Sequence, residues 1–202
     1  NNFSAKRLFD KSAWRPVPLG DAQVLSLRFQ TNGTYYTAAS MSFMEPWLFG
    51  KKPTSFSLSG YYTRQTNSYY FYQNPDEYFE VYGVAASLGN RLKWPDNYFV
   101  LYHELSWQAY NLHDWGYNFL FSTGQSNNFS YKVTLARNST DQQVFPRQGS
   151  DFTFSVQLTP PYSLFRDPNT NYQSMTDQER YRWIEYHKWT FKGALYTKIV
   201  GD

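Results

Sequence analysis

The chain has 202 residues, 21% of them aromatic and 17% charged, with no cysteine and a net charge of +3 from 19 basic and 16 acidic side chains. Without cysteine there is no disulfide framework, thiolate metal site or cysteine nucleophile, and near-balanced charge gives no nucleic-acid footprint. The 19 Tyr, 17 Phe and 7 Trp coexist with a mean hydropathy of −0.67, which requires apolar and polar residues to be finely interleaved.

No run of 18 apolar residues offers a transmembrane helix, and the start of the chain, Asn1 to Leu8, lacks the charged-then-apolar pattern of a signal peptide. Aromatic richness argues against disorder.

Period two dominates from there on. Leu25, Leu27 and Phe29 alternate with Ser26, Arg28 and Gln30, and Ala39, Met41 and Phe43 alternate with Ser40 and Ser42. Asn32-Gly33 between them predicts a tight hairpin through a type I′ turn, with positive φ at both central residues. Further alternating runs follow at Phe56–Thr63, Tyr78–Leu88, Phe99–Trp107, Phe129–Leu135, Phe152–Leu158 and Arg182–Ile199. About eight strands are predicted. Compact connections at Glu45–Pro53, Asn90–Asn97 and Asp141–Ser150 alternate with longer ones at Thr66–Glu77, Leu112–Asn127 and Leu164–Glu179. Thr176, followed by Asp177 and Glu179, predicts the cap of a short helix within Ser174–Arg182.

Strands with one apolar and one polar face suit either a soluble sandwich or a membrane barrel. Three features favour an all-β, antiparallel, up-and-down transmembrane barrel. The polar faces carry charge even mid-strand, as at Glu104, Lys132 and Lys192. The strands, about 10–14 residues each, are near the ~9–11 that a tilted strand needs to cross a bilayer and longer than the ~5–6 typical of soluble sheets. Aromatics such as Tyr35, Trp47, Trp94, Tyr98 and Trp107 gather near strand ends, where interfacial girdles lie. An aromatic-rich, glycan-binding sandwich stays open on pattern alone.

Catalytic chemistry finds no foothold. His103, His113 and His187 form no metal-binding spacing, His103 and Glu104 face opposite ways, and His113-Asp114 reads as a loop pair. Glu45, Glu80, Glu104 and Glu185 carry no pairing signal. The expectation is a non-enzymatic protein with no cofactor and no metal.

Leu135–Leu158 resembles a strand–turn–strand segment of the BamA-type outer-membrane assembly factors. Arg137, Asp141, Phe145, Pro146 and Gly149 match the family's Arg-Asp-x-x-Asp stretch and Phe-Pro-x-x-Gly turn, with Asn138 where Asp is usual. Met41–Tyr62 is similar to the family strand ending in Thr-Glu-Pro-aromatic, here Met44, Glu45, Pro46 and Trp47. Gly83–Trp107 resembles the Leu-Gly-x-Arg-Leu-x-Trp-Pro-Asp-x-Tyr turn and carries Arg91, Trp94 and Pro95. Asn1–Phe9 resembles the turn closing the family's second strand.

The resemblance implies that residues 1–202 are a partial barrel, about the third to tenth strands of a sixteen-stranded one, without the POTRA repeats, the terminal gate strands or the inward loop. It implies a site in the bacterial outer membrane and a role in folding and inserting other barrel proteins. Outer-membrane lipid, nascent barrel substrates and accessory lipoproteins are the implied partners, with no nucleic acid. A porin-like channel and a protein-secretion pore are the other barrel readings.

Overall fold

Alternating sequence becomes one antiparallel sheet. The structure is a computed structural model and describes residues 3–14, 17, 22–48, 54–69, 72–116, 120–165, 167 and 173–198. Its strands are β1 (Val24–Asn32), β2 (Tyr36–Glu45), β3 (Thr54–Tyr69), β4 (Tyr72–Arg91), β5 (Phe99–His113), β6 (Gly124–Asn138), β7 (Gly149–Leu158) and β8 (His187–Tyr196). They lie side by side in chain order, each antiparallel to the next. All eight belong to one sheet, and no second sheet packs on it among the described residues, so the architecture is not a sandwich.

Because side chains alternate across a strand, the register sorts them into two faces. One face is a band of Leu27, Met41, Leu58, Val84, Leu105, Phe129, Phe154 and Phe191, with its neighbours in the same alternation. The opposite face carries small and polar residues: Ser42, Ser59, Ala85, Ser106 and Ser130 fall in one cross-strand row.

Among the described residues, most of the apolar band is uncovered. Leu27 is 71% exposed, Phe191 71% and Leu195 77%, and Ala109 and Leu112 are the only buried apolar side chains among the described residues. On β5 the band runs from Phe99 to Ala109. At ~3.4 Å per residue and a tilt of roughly 35–45°, that stretch spans about 25 Å, the height of the apolar belt of a membrane barrel.

Three differences from the expected elements have local causes. The predicted loop Thr66–Glu77 is mostly strand: β3 reaches Tyr69 and β4 starts at Tyr72, with the ladder interrupted at Thr66/Asn67. Pro75 lies in that interruption, where its missing N–H takes nothing from the ladder. Asn67 and Asn74 both donate to the Glu77 carboxylate, at 2.7 and 2.9 Å. The last strand is shorter than predicted, His187–Tyr196, and Ile199 lies outside the described residues. His113 ends β5 rather than sitting in a loop.

β7 ends at Leu158, opposite Tyr131, so the first half of β6 is paired with β5 on one edge and has no β7 partner on the other. The β7–β8 connection fills the gap. Asn127 donates its N–H to the Arg182 carbonyl at 2.8 Å and accepts from Ile184 at 2.9 Å. The predicted helix forms here as Asp177–Arg180, with a Thr176/Glu179 capping box.

Replacing Leu105 by Lys at the middle of the band is expected to lower stability by about 2–4 kcal/mol in a bilayer. Ala85→Lys on the opposite face is expected to cost well under half of that. Urea titration of the intact protein in lipid vesicles measures both, and equal losses would contradict the assignment of faces.

Candidate functional site

The short-turn end of the sheet is organised around Arg137. It sits on β6 between Phe99 of β5 and Phe152 of β7, on the apolar face. Its Nε donates to Asp96 Oδ2 at 2.9 Å, and its Nη2 reaches the same oxygen at 2.9 Å. Nη1 donates to Ser139 Oγ at 2.8 Å and to Ser150 Oγ. The guanidinium carbon lies 5.6, 5.7 and 5.9 Å from the ring centroids of Tyr98, Phe99 and Phe152. A cation wrapped by aromatic faces and held by charge-assisted hydrogen bonds suits an interface that is partly apolar and partly wet.

This clasp joins the β4–β5 turn to the β6–β7 turn. Arg137 and the Trp94-Pro95 turn belong to separate sequence motifs, and the fold brings them together through Asp96, the Asp of the Trp-Pro-Asp-x-Tyr stretch. The other Asp96 oxygen accepts the Tyr98 N–H at 2.9 Å. Partial burial on its own would raise the Asp96 carboxyl, but the Tyr98 N–H and the Arg137 guanidinium outweigh it and hold its pKa below the ordinary value. The Trp94–Pro95 bond is cis, and Trp94 is exposed. Arg91, at the end of β4 opposite Val100, lies on the polar face by register, away from the clasp.

The β6–β7 turn is closed by Asp141, whose Oδ1 accepts the N–H groups of Arg147 at 3.0 Å and Gln148 at 3.3 Å. Those backbone donors, Arg147 first, lower its pKa against partial desolvation. Asn138 caps Thr140 and donates to Asp151. Gly149 has φ +110°, and an added Cβ would collide with the Ser139 backbone. Phe145 has φ 57°, rare for an aromatic residue, and presents its ring to the outside just before Pro146. Both ends of the Phe-Pro-x-x-Gly motif therefore adopt positive φ.

Glu45, Pro46 and Trp47 follow the same logic at the β2 end. Glu45 Oε1 accepts the Trp47 N–H at 3.1 Å, and Oε2 accepts from Gln23 at 2.5 Å. Gln23 in turn accepts the Ala5 N–H and pairs with Phe3, so the N-terminal segment is fastened here. Residues 49–53 of the expected Glu45–Pro53 turn lie outside the described residues.

The Asn32-Gly33 hairpin forms with a different turn from the one expected. Asn32 still pairs with Tyr36, and the loop is Gly33-Thr34-Tyr35, closed by Tyr35 N–H to Asn32 C=O at 3.2 Å. Gly33 alone of these residues has positive φ, because the three-residue loop needs only one left-handed position.

At the opposite rim, Arg64 and Glu80 pair at 3.4 Å, with Tyr62 and Asn111 also donating to Glu80 and Tyr78 stacked under Arg64 at 4.5 Å. Glu80 is thus engaged in a rim network rather than placed as an acid or base. His103 contacts the Tyr131 hydroxyl at 2.6 Å and His113 the Asp76 carbonyl at 2.9 Å. No group of three or more His, Cys, Asp or Glu arranged to hold a metal occurs among the described residues. The arrangement is that of a wall with two distinct rims.

Residues 18–201 match the Omp85 superfamily domain. Among solved structures, the fold is similar to BamA from Haemophilus ducreyi lacking POTRA domains 1–3, at a TM-score of 0.51 and 22% identity. The match covers 71% of this chain and 29% of that one. No curated protein matches the chain.

Asp96 is depressed in the folded state, so the clasp contributes fully above the ordinary carboxylate pKa of ~3.9 and is lost as pH falls through the lowered value. The stability gap between the native protein and Arg137→Ala is therefore expected to be constant from neutral pH to about pH 5 and to narrow below about pH 4, leaving the part due to the Ser139, Ser150 and ring contacts. Parallel urea titrations measure it; a gap unchanged at pH 2 would show that the Asp96 carboxylate contributes nothing and that the serine and ring contacts carry the clasp. Gly149→Ala is expected to destabilise the β6–β7 turn by more than ~1 kcal/mol, read in the same assay.

Proposed function

The chain belongs to the Omp85 superfamily, and from that premise we propose that it is the partial wall of an outer-membrane barrel that folds and inserts other barrel proteins. The observation that carries this reading is a sheet with an exposed apolar band on one face, polar residues on the other and, among the described residues, only two buried apolar side chains. Such a sheet is satisfied by lipid outside and water inside. In this reading the eight strands belong to a sixteen-stranded barrel in the bacterial outer membrane.

The work is physical rather than covalent. Assembly factors of this type offer an exposed strand edge to an incoming strand, whose backbone pairs by β-augmentation, next to a locally thinned bilayer. The gate strands lie elsewhere in the parent barrel. This segment's part is to hold the wall rigid through its ladder and its Arg137 and Glu45 turns, while Trp47, Trp94 and Phe145 anchor the short-turn end at the interface. Nascent barrel proteins are the substrates, and accessory lipoproteins dock on other parts of the protein.

The test is reconstitution. The intact protein in vesicles is expected to accelerate folding of a urea-denatured outer-membrane barrel several-fold over protein-free vesicles, and its gene to restore barrel assembly in a depleted strain. A large steady conductance in planar bilayers with neither effect would favour a channel and overturn the assignment.

A further inference from the structure

The polar face is not electrically neutral. Along the paired strands, outside the β4 interruption, its charged residues are Arg28, Arg91, Lys132, Lys188 and Lys192 against Glu104 and Asp151. Three of the cations converge. Lys132 of β6 and Lys188 of β8 flank Gln157 in one cross-strand row, and Lys192 lies two rows away beside Thr153. With Thr134, Ser155 and Thr190 they line a polar groove of about 350 Å³.

None of the three lysines is in an ion pair among the described residues. Glu104 stands opposite Lys132 in register without closing a salt bridge, and Asp151 accepts from Asn138. The arginines on the apolar face differ: Arg64 and Arg137 each have a carboxylate partner. Charge is thus neutralised where it borders the apolar band and left open on the polar side.

We propose that this groove is an anion-attracting site on the inner wall of the barrel, where small dissolved oxyanions collect against the three ammonium groups. The hydroxyls of Thr134, Ser155 and Thr190 supply the neutral donors that an oxyanion shell needs. The site rests on the reading that the polar face lines a water-filled interior. A concave, single-sign surface with low-dielectric walls focuses its field, raising local counter-ion concentration and encounter rates by roughly 10-fold or more.

The lack of cysteine in these 202 residues makes a direct test possible. Ser155→Cys places a thiol inside the groove, and Ser59→Cys places one on the same face in an uncharged row. Each variant of the intact protein in vesicles is treated with an anionic sulfonate-bearing and a cationic trimethylammonium-bearing methanethiosulfonate. Rates are divided by those for a free thiol. The anion-to-cation ratio is expected to be about tenfold higher at position 155 than at position 59. It should fall to the position-59 value when Lys132, Lys188 and Lys192 are all changed to Gln, and also in 1 M salt, where the screening length is ~3 Å. The salt arm needs no lysine substitution, so misfolding of the triple variant leaves the test intact. Equal ratios at both positions, or a ratio indifferent to salt, overturn the anion site while leaving the water-filled interior standing. Failure of both reagents to reach either thiol overturns the interior itself, and the site with it.

Discussion

The whole structure depends on the backbone hydrogen-bond ladder. A soluble domain of this size would bury a large set of apolar side chains, whereas here two are buried among the described residues and the large aliphatic and aromatic groups face outward. In lipid, burial comes from the solvent, and the term that lipid cannot supply is a partner for each N–H and C=O. Strand follows strand with every neighbour paired, and where β7 stops short the Arg182–Ile184 segment completes the β6 ladder at Asn127. That repair is the clearest sign of what the fold cannot leave undone.

With the ladder fixed, side chains are free to differentiate the two ends. The short-turn rim is built from cations held by carboxylates and rings, as Arg137 is by Asp96, Tyr98, Phe99 and Phe152. The opposite rim repeats the device with Arg64, Glu80 and Tyr78. Both lie just beyond the apolar band, where an ion pair is partly desolvated yet still reached by water. Mid-band, the polar exception is His103, which contacts the Tyr131 hydroxyl.

Much of this was legible in the sequence, because a period of two is a direct print of the pleat. The Leu25–Phe29 and Ala39–Phe43 alternations gave the first hairpin, and Thr176 with Glu179 gave the helix cap. What stayed hidden has a common physical reason: it depends on which strand stands beside which. Asp96 and Arg137 are 41 positions apart, and no local rule pairs them. Tyr69 and Tyr72 sit in an Asn- and Tyr-rich stretch that reads as loop, yet backbone pairing overrides composition beyond the apolar band. The left-handed Phe145 is set by the closure of its turn through Asp141, not by its own preference.

The chain-order arrangement of the strands also distributes conformational entropy unevenly along the wall. The β1–β2 pairing closes a loop of three residues, from Asn32 to Tyr36, and the β7–β8 pairing closes one of 28, from Leu158 to His187. The logarithmic dependence of closure entropy on length makes the second less favourable by about 2 kcal/mol. The capping box at Thr176, the reciprocal Thr159–Tyr186 hydrogen bonds and the tilted ring contact between Tyr162 and Trp183 all lie inside that long connection. They act as internal ties that shorten its effective length, so the last strand reaches its neighbour from a partly ordered chain rather than from a free coil.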